Sequence, residues 1–169
     1  MKILFEEMDF QRAVQAYIWS IPFVSMAQWQ YSHEQELGAE NGQAVFLESY
    51  QDRLGGLTYN ATTPYVLPFI DLAEGPWVVV MPEAEVRGAA HDMWQIAITR
   101  MTEPGKYLFV GPGQEVPQDA EAQGYKVAKS PSMNLLVGGG NDIDNCYVAL
   151  VNANTGEVLF KETGSSAKE

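Results

Sequence analysis

The chain is short of the residues on which several chemistries depend. Its one cysteine, Cys146, excludes an internal disulfide and any zinc site built from thiolates. That thiol sits in C-Y-V-A-L-V, an apolar stretch where free cysteine acts as a small hydrophobe. Neither histidine, His33 or His91, lies near it in sequence to activate it as a nucleophile. No apolar run reaches the roughly 18 residues of a membrane span. Positive charge is scarce: ten basic residues stand against 22 acidic ones, a net charge of −12. Arg12, Arg53, Arg87, Arg100 and Lys106 are scattered rather than clustered, so a polyanion would be repelled and neither nucleic acid nor an anionic membrane is expected as a partner. The opening M-K-I-L-F-E-E-M-D-F has neither the basic nor the apolar region of a secretory leader. The compartment is therefore not written in these residues; a leader removed ahead of Met1 would make the protein periplasmic.

Catalytic signatures are also missing. There is no G-x-S-x-G elbow, and Gly111-Pro112-Gly113 lacks the Lys-Ser/Thr that a phosphate loop requires. The acidic turn Asp142-Ile143-Asp144-Asn145 offers oxygen ligands but not the Gly and distant Glu of an EF-hand. His33 and Glu36 share a helical face, yet no third ligand is nearby. No metal and no cofactor are expected.

What is present is a core and many turns. Hydrophobic residues make up 46% of the chain, enough for one buried domain, and 15 glycines with nine prolines favour strands over a helical bundle. Phe10, Val14, Tyr17 and Ile18 recur at helical spacing, with Asp9 as a candidate N-cap. Pro22 should end or kink that helix, and Val24–Trp29 is a candidate second helix. Trp19 and Trp29 read as packing anchors, and 32–44 as a polar loop. Short apolar runs then follow at 66–72, 77–81, 93–99, 107–110, 125–128, 133–137, 146–151 and 158–161. They are separated by breakers that include Pro104-Gly105, Ser130-Pro131 and Gly138-Gly139-Gly140. The last two runs, joined through Asn152–Glu157, have the form of a hairpin. The expected fold is mainly β: an antiparallel, jelly-roll-like sandwich carrying one or two N-terminal helices. Its expected divisions are a helical segment at 1–50, the sandwich at 51–162 and a flexible tail at 163–169.

Six stretches carry a family likeness in order along the chain. They are D-F-Q-R-A-V-Q-A-Y-I-W-S-I-P (9–22), N-A-T-T-P-Y (60–65), F-I-D-L (69–72), D-M-W-Q (92–95), G-K-Y-L-F-V-G-P-G (105–113) and K-S-P (129–131). Together they resemble the N-terminal module of the bacterial family called domain of unknown function 1254. The resemblance implies a β-rich, jelly-roll-like fold behind an N-terminal helical segment. It also implies a usual partner module, domain of unknown function 1214, which this chain is not expected to contain. It brings no catalytic set.

Two motifs are candidate sites. In N-A-T-T-P-Y, Asn60, Thr62, Thr63 and Tyr65 either cap a stiff turn into the following strand or hold a ligand's polar group at a pocket mouth. In D-M-W-Q, an alternating strand would put Asp92 and Trp94 on one face and Met93 and Gln95 on the other. A buried Asp92 beside an indole would then be a candidate general acid or base, with Trp94 and Gln95 contacting the ligand. The alternative is an edge strand with Asp92 in solvent. Two functions follow as expectations. The first is a small-ligand-binding or self-associating module, expected to be a homodimer; the second is a hydrolase or lyase whose pocket joins Asn60, Thr62, Tyr65 and Asp92.

Overall fold

The computed structural model describes residues 2–47, 62–141, 147–151 and 158–163. Asn60, Cys146, the acidic turn at 142–145, the hairpin turn at 152–157 and the tail from 164 lie outside them. Among the described residues one helix, α1 (Lys2–Gln35), precedes ten strands. These are β1 (Ala44–Leu47), β2 (Tyr65–Asp71), β3 (Trp77–Met81), β4 (Val86–Asp92), β5 (Ala97–Met101), β6 (Gly105–Val110), β7 (Tyr125–Lys129), β8 (Asn134–Asn141), β9 (Tyr147–Val151) and β10 (Val158–Thr163).

The fold is mainly β, with one N-terminal helix and an open, sandwich-like pair of layers. One layer runs β1-β2-β8-β4-β5, all antiparallel; the other runs β3-β6-β7. Within the second layer β6 and β7 are parallel, joined by the 111–124 crossover, so the antiparallel expectation holds for every strand pair but that one. The expected terminal hairpin is β9 paired antiparallel with β10.

The period-two alternation of strands divides the large sheet into two faces. Val66 and Ile70 of β2, Val86 and Ala90 of β4, and Leu135 and Val137 of β8 point toward the second layer, where they meet Val79, Tyr107 and Phe109. Leu67, Phe69 and Leu136 point the other way and pack with Met26 of α1 and Met93. The sheet is thus apolar on both faces, but α1 covers only part of the second.

The helix departs from the sequence reading. It passes through Pro22 without ending, continues to Gln35 into the stretch read as loop, and encloses Asp9, which caps nothing. The β4–β5 turn supports the proline region: Gln95 Nε2 donates to the Pro22 carbonyl at 3.1 Å and to Ser25 Oγ at 2.8 Å. Trp94 lies against Trp19 and Phe23, with ring centroids 4.4 and 5.3 Å away. Three residues past the helix end Gly38 takes a φ of 70°, and the Ala39 N–H donates back to the His33 carbonyl at 2.9 Å.

Near that end His33 is buried between Trp29 and Phe69, and its Nδ1 lies 3.0 Å from the Trp29 carbonyl. A carbonyl accepts only, so Nδ1 carries the proton and Nε2 is a buried acceptor without a hydrogen bond. Burial lowers the His33 pKa, and the bond to Trp29 opposes this only in part. The unfolded chain, with an ordinary histidine near 6.5, takes up the proton first. The His33 contribution is therefore intact above pH 6.5 and is lost as pH falls through the folded-state value. Urea midpoints measured from about pH 7 to about pH 5 should fall in the wild type and fall less in His33→Gln. Equal slopes in the two proteins would remove His33 as the source.

Candidate functional site

Where α1 leaves the sheet uncovered, the outer face forms a groove of about 700 Å³. Met26 and Trp29 of the helix make one wall. The floor is Leu67, Leu136 and the run Gly138-Gly139-Gly140. Those glycines, expected to turn the chain, lie inside β8: all three pair with β4, and Gly139 and Gly140 pair with β2 as well. Side chains there would crowd their neighbours. A Cβ on Gly140 would come 2.9 Å from the Pro64 carbonyl oxygen, and one on Gly138 would come 3.2 Å from Leu67 Cδ2.

The far side of the groove is cationic. Arg87, Ala89 and His91 alternate on the outer face of β4, and Arg100 projects from β5. Ala89 is the register partner of Arg100, so Arg87 sits on the diagonal, about 7–8 Å away on the same face. Among the described residues no aspartate or glutamate lines the groove, and neither guanidinium is ion-paired. In a chain of net charge −12, two of the four arginines therefore share one concave surface.

The residues expected from sequence divide. Thr63, Tyr65 and Gln95 line the groove. Thr62 is exposed and does not line it, and Asn60 lies outside the described residues. Trp94 is a helix-docking residue, through Trp19 and Phe23. Asp92 requires a correction. The strand expected over 93–99 begins only at Ala97; β4 ends at Asp92 and the chain turns before β5. Asp92 and Trp94 therefore do not alternate along one strand. The Asp92 carboxylate is 3% exposed, and its Oδ1 accepts the backbone N–H of Trp94 at 2.8 Å and of Ile96 at 2.9 Å. It follows Val86 and Ala90 on the inner face of β4 and is not part of the groove.

Sequence reasoning missed Arg87, His91, Arg100, Met26 and the glycine floor. All of β4 was missed, because V-R-G-A-A-H-D puts glycine and alanine where an alternating strand shows large apolar residues. Among the described residues no set of three or more His, Cys, Asp or Glu is placed to hold a metal ion, and no helix is long and apolar enough to cross a membrane.

Comparison with known proteins fixes the kinship. The family model described as Protein of unknown function (DUF1254) matches residues 46–145. The chain belongs to this family. The matched span holds β2 through β8, and so the whole strand-borne part of the groove; α1 precedes it. No curated protein matches. Among solved structures, the VPA0106 protein from Vibrio parahaemolyticus is similar, with a TM-score of 0.55 and 18% identity. The likeness covers 74% of this chain and 31% of that one, so this DUF1254 chain corresponds to under a third of that protein. At that identity the likeness is one of fold.

Proposed function

We propose that this DUF1254 chain is a binding module for a small anionic ligand with an apolar body. The observation that carries this reading is the pair Arg87 and Arg100, side by side over a groove where no carboxylate stands beside them among the described residues. Two like charges on a sheet diagonal repel each other, and an anion between them removes that penalty. Guanidinium groups bind carboxylate or phosphate through paired hydrogen bonds, whereas Met26, Trp29, Leu67 and Leu136 suit an alkyl or aromatic body. Tyr65, Thr63 and Gln95 add polar contacts, and the volume lies within the ordinary range for small-molecule sites.

The test is calorimetric titration with octanoate, octyl phosphate and octanol. Wild type should bind the two anions and not the alcohol. Charge-assisted hydrogen bonds contribute about 1.5–3 kcal/mol, so Arg87→Ala and Arg100→Ala should each weaken anion binding roughly 10- to 100-fold. Both side chains are exposed, so the thermal midpoint should stay in place. Equal affinity for octanol, or anion binding indifferent to the double variant, would sink the proposal. The hydrolase or lyase reading gains no support from Asp92, which is on the other face of β4.

A further inference from the structure

Among the described residues, the first two thirds of α1 carry many exposed apolar side chains. Ile3, Phe10, Val14, Tyr17, Ile21 and Val24 follow one another at steps of seven, four, three, four and three, the spacing of a coiled-coil seam. All six are exposed, Ile3, Phe10 and Tyr17 by 70% or more. At 3.6 residues per turn this seam lies nearly opposite the stripe of Trp19, Phe23, Met26 and His33 that docks on the domain. One helix therefore has two apolar faces, and the domain occupies one of them.

We infer that the outward seam pairs α1 with α1 of a second copy, antiparallel. The seven-residue spacing of the seam fits another helix, and Leu4 and Ile18, also exposed, widen the apolar surface beside it. Side chains of this size at these exposures offer on the order of 800 Å² per copy, the share each partner gives to a standard-size interface. Ala13 and Ser20, seven residues apart, flank the seam and allow close approach. Charge sets the direction. A parallel pair would gather Glu6 and Glu7 of both copies at one end, whereas an antiparallel pair sends them to the neutral stretch around Ser25 and Gln28. A lipid surface is the poorer occupant, because Glu6, Glu7 and Asp9 stand where an interfacial helix carries lysine and arginine. This inference is independent of the groove.

Light scattering after size exclusion at tens of micromolar chain should give the mass of a dimer. Val14→Asp with Ile21→Asp should give a monomer that keeps the wild-type far-UV circular dichroism, since both residues are exposed, and that melts lower only by the lost association. In a Cys146→Ser background, oxidising a mixture of Val14→Cys and Tyr17→Cys chains should yield the mixed disulfide dimer. A monomeric wild type, a dimer that survives the double aspartate variant, or monomer sedimenting with phosphatidylcholine vesicles would overturn the pairing. Disulfides only between like chains would overturn the antiparallel direction.

Discussion

Gly42→Ala is expected to cost about 2–5 kcal/mol of stability, whereas Gly38→Ala should cost only about 1–2 kcal/mol. Both glycines have positive φ, 73° and 70°, so both variants incur the same backbone penalty. They differ in surroundings. A Cβ on Gly38 meets nothing within 4 Å, whereas one on Gly42 would run into Cζ3 and Cη2 of Trp77. The indole cannot easily yield. Trp77 is buried, opens β3, is in register with Phe109 and belongs to the core between the layers. The glycine cannot yield either, because its N–H donates to the Phe69 carbonyl at 2.8 Å. For a chain of this size the Gly42 variant should melt roughly 5–15 °C lower. Equal losses in the two variants would show that backbone conformation alone is being read and that the Trp77 contact is not limiting.

Asp92→Ala is expected to cost about 2–4 kcal/mol, and Asp92→Asn less than about 1 kcal/mol. Alanine leaves the amides of Trp94 and Ile96 without their acceptor, whereas the asparagine carbonyl still accepts both. The damage should extend to the helix, because the turn that Asp92 organises presents Trp94 and Gln95 to α1. Hydrogen exchange around Pro22 and Ser25 should therefore quicken in Asp92→Ala. Octanoate affinity should be unchanged in Asp92→Asn. Asparagine as damaging as alanine would mean that the charge itself, rather than an acceptor oxygen, holds the turn.

The layers were legible because their strands announce themselves. W-V-V-V-M and Y-V-L-P-F-I-D are apolar runs bounded by turn residues, and they became β3 and β2. The hidden strand, β4, carries small residues on both faces, since its inner face packs closely and its outer face is the groove wall. The same smallness that made it invisible keeps the groove open. The glycine triplet misled for a related reason: in isolation it signals a bend, and only neighbours on both sides show that it is flat sheet. Asp92 and Gln95 stand out in the sequence as polar residues among apolar ones, but their partners are a backbone turn and a helix carbonyl. No one-dimensional pattern encodes those partners. Thr63 and Tyr65 reached the groove because entering a strand after Pro64 fixes which way alternate side chains point.

Gly138, Gly139 and Gly140 have no rotamers to arrest. A molecule settling on that ribbon would immobilise little of the protein beyond the two arginine stems, at about 0.5–1.5 kcal/mol each. Discrimination then falls to outline: planar or slender shapes can lie against bare main chain, and bulky branched ones are held off it.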